Sequence, residues 1–419
     1  MGAENGSRQP ADRVTDYDLI IVGGGMVGSS LAIALAGRGL RMALVEAHPP
    51  GADTQPSYDD RGIALAYGTQ RIFEALGIWP QVATFAEPIA EIHVSDRGHF
   101  GATRLRARDE GVPALGQVVT ARELGRVLVE RVTRDDSIEV IAPARVASFA
   151  DDGQQVVIEV ERNGVVDRLR CGLLVAADGG NSAIREQLGV PVVRWEYGQC
   201  AVTTNVTPSR PHNNVAYERF TDSGPVALLP MSEQRCAVVW TVRDDQLDAV
   251  LALDDAAFLQ AFQQRFGYRL GRFQRVGRRV AYPLSLLRAR QSVHGRIAII
   301  GNAAHTLHPI AGQGFNLGIR DVAALSEVLS DAFIAGDDIG APAVLERYAR
   351  WRTAEQRNVA IATDGLARLF SNPLMPIRLA RNLGLLAMEL MPAAKHPLAR
   401  GAMGMLGRQP KLARGVPLG

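Results

Sequence analysis

Four apolar residues in succession, Leu19-Ile20-Ile21-Val22, run straight into Gly23-Gly24-Gly25, and from there small and apolar residues recur at helical spacing. The pattern predicts a strand buried on both faces, a tight turn and a helix, closed by a second strand at 41–45. Residues 48–60 (HPPGADTQPSYDD) are rich in Pro, Gly and Asp and predict a loop, after which 61–78 (RGIALAYGTQRIFEALGI) takes up helical spacing. Alternation at 89–105 predicts strands, and 121–134 returns to a helix with Leu124, Leu128 and Val132 on one face. Short alternating runs between 138 and 170, broken by DDGQ and RNG, predict a small antiparallel meander. The next strand ends at Asp178-Gly179 and leads into a helix.

From 191 to 289 the pattern is mainly that of strands, at 201–206, 215–220, 226–230 and 235–242, with one helix around 256–266. A third strand, 296–300, runs into Gly301, and everything beyond Gly312 has helical spacing. The predicted architecture is α/β. A Rossmann-like nucleotide-binding domain (16–86, 109–190 and 290–365) carries an inserted, mainly antiparallel sheet (87–108 and 191–289) that forms one wall of a substrate pocket. Residues 366–419 make a helical C-terminal region with a basic tail.

Composition narrows the function classes. The 419 residues carry 46 Lys and Arg against 44 Asp and Glu, a net charge of +2 without the basic stripe of a nucleic-acid binder. Three widely spaced cysteines, Cys171, Cys200 and Cys236, suggest neither a disulfide framework nor a metal knuckle and read as small buried hydrophobes in a reducing cytoplasm. Residues 1–15 are polar and read as a disordered leader, and no stretch approaches the roughly 18 to 20 apolar residues of a membrane span. Cytoplasmic placement is expected, with peripheral contact on the inner face of the membrane as an extension. That extension rests on the apolar run 383–391 and on a tail from 390 to 419 holding Lys395, Arg400, Arg408, Lys411 and Arg414 and no acid. Such an end either rests on an anionic surface or docks a lipid-presenting partner, or else 383–391 packs back on the nucleotide domain beside a solvated tail.

The chemistry starts at the first turn. Gly23 permits the turn, Gly25 lets the backbone approach a pyrophosphate, and Gly28 lets the helix pack closely on the sheet. The helix N-terminus favours the phosphates, and Glu46, about 20 residues on, suits the ribose hydroxyls of an adenosine. Three strand-to-glycine transitions, at Gly23, Gly179 and Gly301, should reach one edge of one sheet. Gly312, Gln313 and Gly314 stand ahead of a long helix, whose amides would stabilise the negative charge of a reduced flavin, while Asn302 would bond a ribityl hydroxyl. Asp178 either caps the following helix or contacts the cofactor. His305 and His308 lack the carboxylate or cysteine cluster of a metal site, so no metal is expected; they shape the loop, with Pro309 fixing its backbone.

At these residues the chain resembles the FAD-dependent aromatic hydroxylases, and within them the UbiH type of ubiquinone-biosynthesis monooxygenase. The signature HPxxGQGxNxGxxD is present from His308 to Asp321, including Asn316, and DGxxSxxR is present from Asp178 to Arg185. Further similar segments are Asp59-Asp60-Arg61, IHVSDRGHFG (92–101), GPVALLPM (224–231) and RNLGLLAMEL (381–390), so the likeness runs from about residue 17 to about 400. It implies a cofactor, FAD, held by Gly23, Gly25, Gly28, Glu46, Arg61, Arg122, Asp178, Gly301, Asn302, Pro309, Gly312, Gln313, Gly314 and Asn316. Arg61 and Arg122 would contact the pyrophosphate or ribityl region. It also implies O2 as co-substrate, NAD(P)H or another electron donor as reductant, and a polyprenyl phenol hydroxylated through a flavin C4a-hydroperoxide.

Other proteins of ubiquinone biosynthesis are the implied partners. Asn302 departs from the Asp usual among flavin hydroxylases and points to the branch acting on 2-octaprenyl-6-methoxyphenol. For the substrate, Tyr217, Leu228 and Pro230 are the candidates, although GPVALLPM and Tyr217 also suit ordinary core. The sequence identifies no proton acceptor; His305 and Gln313 are the catalytic candidates beside the flavin, which is itself the reactive centre. Two other readings stand beside it: an isoprenoid oxidoreductase without oxygen insertion, which shares the glycine architecture, and a non-catalytic prenyl-lipid carrier that keeps the fold without the cofactor, against which the intact Gly23, Gly25, Gly28 and GQG set argues.

Overall fold

The computed structural model describes residues 15–49, 59–372 and 374–419; the predicted leader up to 14 and residues 50–58 of the predicted loop lie outside them. Five strands run parallel in the spatial order Ile297–Ile299, Val165–Ala176, Thr15–Val22, Met42–Val45 and Ile138–Ile141. Leu19 stands opposite Leu173 on one side and Met42 on the other. The unbroken apolar run is explained by burial on both faces. Leu19 and Ile21 meet Leu31, Leu35 and Leu325, from the helices Met26–Leu35 and Gln313–Ile334, while Ile20 and Val22 join Ile158 and Val160 beneath an antiparallel layer.

That layer is the predicted meander, with one correction. Ile138–Ile141 pairs in parallel with Met42–Val45 and belongs to the main sheet, because the helix Ala121–Thr133 carries the chain across as a crossover. The meander proper is Arg145–Asp151, Val156–Arg162 and the first half of Val165–Ala176. Leu124, Leu128 and Val132 are buried as the spacing predicts.

Residues 61–78 are not wholly helical. Gly62–Ala66 is a strand paired with Gly116–Thr120, itself paired with Glu87–Ile89, and the helix Tyr67–Ala75 follows. A short apolar run fits either period, and a distant partner strand decides. Gly62 is also required by contact, since a Cβ there would lie 2.5 Å from the Ala237 side chain.

The four predicted strands after 191 appear as Val192–Pro208, Val215–Thr221, Gly224–Met231 and Arg235–Arg243, in one nine-stranded sheet. Phe273–Val276 and Val280–Ala289 extend it at one side. At the other, Glu91–Asp96 runs parallel to Val215–Thr221 and pairs with Ala102–Arg106. The helix Asp255–Phe266 seals the outer face with Phe258, Phe262 and Phe266, three buried rings at i, i+4 and i+8, the first two of them packed on Trp240.

Helices Pro342–Ser371, Met375–Leu390 and Pro392–Ala402 follow, but 403–419 departs from the expected helix. Pro410 and Pro417 interrupt it, and the segment straps back over the nucleotide domain, with Leu412 and Leu418 buried in its core. Arg408 lies 4.0 Å over the Trp351 ring and Lys411 Nζ is 2.7 Å from Asp331. The tail is therefore neither a solvated appendage nor a free membrane anchor. Deleting 403–419 should cost on the order of 5 kcal/mol, summing roughly 1.5–3 kcal/mol each for Met403, Leu412 and Leu418. Urea unfolding measures it, and a loss below about 1 kcal/mol would show that the strap is dispensable.

Candidate active site

The three glycine transitions leave the C-terminal ends of three adjacent parallel strands, as expected. Close approach explains Gly23 and Gly28: a Cβ at Gly23 would lie 2.5 Å from the Ala177 carbonyl oxygen, and one at Gly28 would lie 1.9 Å from that of Gly23. Glu46 follows its strand directly. Its Oε2 accepts from the Gly24 N–H at 2.6 Å and its Oε1 from the His48 N–H at 2.8 Å, which fixes the carboxylate against the turn. Two of its roughly four lone-pair sites are used.

Arg61 and Arg122 meet on one backbone knot, where Ala121 N–H donates to Arg61 O at 3.0 Å and Arg122 N–H donates to Asp59 O at 2.9 Å. Arg61 pairs with Asp59 at 3.3 Å and lies 5.1 Å over the Tyr282 ring, whereas Arg122 pairs with Asp60 at 2.9 Å. Asp178 does not act as the N-cap; Ser182 does, accepting from Arg185 N–H at 3.0 Å. Asp178 Oδ2 accepts from Ile184 N–H at 3.3 Å, and its buried Oδ1 has no partner among the described residues.

Asn316 lines the cavity described below and is tied into the surrounding backbone. Its Oδ1 accepts from Ala66 N–H at 2.8 Å and Thr69 Oγ1 at 2.7 Å, and its Nδ2 donates to Ala64 O at 2.9 Å and Gly312 O at 2.7 Å. All four hydrogen-bonding positions of the amide are used. It rivets the Gly312 turn to the small sheet. Gly312, at φ +61°, precedes the helix, and a Cβ at Gly314 would meet nothing within 4 Å, so the backbone there borders open space.

Neither catalytic candidate near the loop lines the cavity described below. Gln313 Nε2 turns toward Ala402 O at 3.4 Å. His305 is fully buried, its Nε2 2.6 Å from Asp321 Oδ2, because its two-residue strand pairs with Val280–Ala289 and faces inward. Burial alone would raise the Asp321 pKa, but His305 and Arg352 hold it well below the usual carboxylate range. Gly301 N–H, Arg352 Nε and Gln356 Nε2 also donate to Asp321, at 3.3, 2.8 and 2.9 Å. His308 lies edge-on to Tyr197 with centroids 5.0 Å apart, and burial lowers its pKa to about 4.

Between the sheets and the C-terminal helices lies a cavity of about 940 Å³. At one end it reaches Gly25, Gly179, Asn302, Pro309, Gly312 and Gly314; the rest is largely apolar, with Ile92, Val94, Leu105, Leu229 and Met388. Phe220 and Phe370 stack across it at 3.5 Å between centroids. The substrate candidates need correction. On Gly224–Met231 the cavity residues are Ala227 and Leu229, whereas Leu228 faces Phe258 and Phe262, and Pro230 does not line the cavity. Tyr217 borders it, yet its ring packs on Phe266 and His93. Ala216, Glu218 and Phe220 line the wall instead, and Glu218 is the one acid among the described cavity-lining residues. In the sequence Glu218 stands beside Arg219, and nothing local separates the acid that faces the cavity from an ordinary surface charge.

The cavity stands at the upper end of the roughly 300–1,000 Å³ of small-molecule sites. The open backbone at Gly314 and the orphaned Asp178 Oδ1 fit a polar-rimmed ring cofactor. An edge built to take a dinucleotide, opening into so large an apolar space, defines an FAD-dependent oxidoreductase. Residues 16–362 match the family model described as an FAD binding domain. The chain is 38% identical to the ubiquinone hydroxylase UbiL of Rhodospirillum rubrum, covering 97% of this chain and 94% of that one. It is 31% identical to the 3-demethoxyubiquinol 3-hydroxylase of Escherichia coli, covering 93% and 98%. Among solved structures, p-nitrophenol 4-monooxygenase PnpA of Pseudomonas putida superposes with a TM-score of 0.79 at 18% identity, covering 94% of this chain and all of that one, which shows the shared fold.

The chain belongs to the FAD-dependent aromatic hydroxylase family of ubiquinone biosynthesis.

Asp321→Asn should cost about 3–5 kcal/mol, because the buried Arg352 loses its charged partner. Chemical denaturation of the apo-protein reads this directly, and a cost below about 1 kcal/mol would mean that Arg352 is satisfied by Glu355 alone.

Proposed function

We propose that the protein hydroxylates the ring of a polyprenyl phenol on the way to ubiquinone, with the ring beside Gly312–Gly314 and the first isoprene units along the apolar wall. The cavity carries this reading: its size and its apolar lining suit a ring with a hydrocarbon tail. Bound FAD, reduced by NAD(P)H or another donor, supplies with O2 the electrophilic oxygen that the ring attacks.

The chain's own residues bind, orient and keep water out. Glu46 offers its remaining lone pairs to the adenosine ribose, the N-terminus of Met26–Leu35 receives the pyrophosphate, and Arg61 and Arg122 flank it. Asn302 and Asp178 meet the ribityl hydroxyls, and the amides opening the helix Gln313–Ile334 favour negative charge on the reduced ring. The stacked pair Phe220 and Phe370 excludes water from the reacting centre. Glu218 is the carboxylate on the wall suited to accept the phenol proton, which makes the ring more nucleophilic. Asn302 supports 2-octaprenyl-6-methoxyphenol as the ring acted upon. A substrate of this kind stays in lipid, so the reading includes delivery from a membrane surface or from other proteins of the pathway. No helix among the described residues is long and apolar enough to cross a membrane.

The test is product analysis with a short-tailed 6-methoxyphenol, a reductant and isotopically labelled O2. One labelled oxygen should appear on the ring; reductant consumption that yields a saturated isoprenoid without label would favour the isoprenoid reductase reading. Gly314→Val should leave apo-protein stability within about 1 kcal/mol, since its side chain meets open space. FAD content or substrate-dependent oxygen uptake should nevertheless fall by roughly tenfold or more, as the backbone can no longer approach the ring. Wild-type uptake with full FAD content would place the ring elsewhere.

A further inference from the structure

The helix Met375–Leu390 has two apolar faces. Its inner face lines the cavity through Gly384, Leu385 and Met388. On the outer face Met375, Leu379, Leu383, Leu386 and Leu390, at i, i+4, i+8, i+11 and i+15, are 74, 54, 50, 38 and 72% exposed. A helix that only covers a core shows one apolar stripe, and the second is unpartnered among the described residues. Phe100, 60% exposed, continues this surface from the neighbouring hairpin, whose Gly101 N–H donates to Asn382 Oδ1 at 3.0 Å. A contiguous patch of this kind marks a contact surface.

Charge selects the occupant. From 365 to 419 the chain carries eight Lys and Arg and a single acid, Glu389. That acid is neutralised, accepting from Lys395 Nζ and from Arg104 N–H, both at 2.8 Å. Among the described residues Arg378 and Arg400 have no carboxylate within ion-pair distance, and Arg378 joins the Phe100 hairpin through His99 at 2.7 Å. Exposed leucines flanked by cations, with no uncompensated acid, complement an anionic lipid surface.

We propose that the outer face of Met375–Leu390, together with Phe100, rests on an anionic bilayer, so that one helix separates the lipid phase from the cavity and the substrate passes beside it without crossing water. This rests on the reading of the substrate as a lipid-tailed phenol. The contact lies on this helix and not on the C-terminal strap, which is packed into the nucleotide domain.

The test uses the full-length holoprotein and co-sedimentation with vesicles of phosphatidylcholine and phosphatidylglycerol in equal parts, or of phosphatidylcholine alone. Binding to the anionic vesicles should exceed binding to the neutral ones by roughly tenfold and weaken with salt. Leu379→Glu with Leu383→Glu should lose roughly tenfold in vesicle binding and in turnover of a long-tailed phenol held in vesicles. FAD content and turnover of a short-tailed phenol should be unchanged, which also shows that the variant is folded. Arg378→Glu should weaken anionic binding by a smaller factor. A wild type that stays in the supernatant, equal binding to both vesicles, or a double variant that binds normally would overturn the proposal. So would a wild-type dimer that the double variant dissociates, since a second copy would then cover the stripe. Absence of wild-type turnover on the short-tailed phenol would instead sink the functional reading, with vesicle binding still judging this one.

Discussion

The flavin loop is held in place by one buried carboxylate. Asp321 gathers His305, Arg352, Gln356 and the Gly301 amide, and in doing so ties the third glycine turn, the loop beyond it and two long helices to a single point. Removing a carboxylate from water costs several kcal/mol, and only a full set of donors offsets that cost. The geometry is therefore all or nothing. Each donor lost leaves charge uncompensated in a low dielectric, so the loop has little freedom to drift while the remaining donors are in place. Asn316, five residues earlier on the same helix, extends the lock to the small sheet through its four bonds. Between them these two side chains determine where Gly312–Gly314 sits.

What was legible in the sequence follows from how local each constraint is. The three glycine turns and Glu46 could be read directly, because a turn, a close backbone approach and an acid at a strand end are each set within a few residues. The large sheet was legible as alternation, and its strands came out longer than predicted but in place. Gly62–Ala66 was not, since its identity as a strand comes from Gly116–Thr120, some fifty residues away.

The site's walls were the least legible part. Gly224–Met231 is buried on both faces, so alternation separates Leu228 from Leu229 without saying which faces the cavity. The answer depends on the helix Asp255–Phe266 occupying the other side. Asn316 shows a related limit: a polar residue in a cofactor motif suggests a ligand, yet its amide is spent on holding the backbone that would meet the ligand, whereas His305 shapes the loop through Asp321 as its position suggested. In the C-terminal strap, the basic residues suggested a surface role, whereas Leu412 and Leu418 decide its position.

A second buried pair shows how an apolar cavity tolerates charge nearby. Arg381 lines the space, and its guanidinium meets Asp96 at 2.9 Å with both side chains almost fully buried, while Asn382 donates to the same carboxylate oxygen at 2.9 Å. A pair of this kind adds little net stability, because desolvation cancels most of the attraction. What it supplies is position. Leucines alone would let the helix Met375–Leu390 slide along the greasy wall with little change in energy, whereas moving Arg381 away from Asp96 exposes two uncompensated charges to an apolar surround. The helix is thereby registered against the strand Glu91–Asp96. Arg381 also donates to the Phe370 carbonyl at 2.9 Å, so the same guanidinium positions the ring that stacks on Phe220. One ion pair orders both the wall and the aromatic stack across the cavity, and does so without placing an unpaired charge where an apolar substrate must lie.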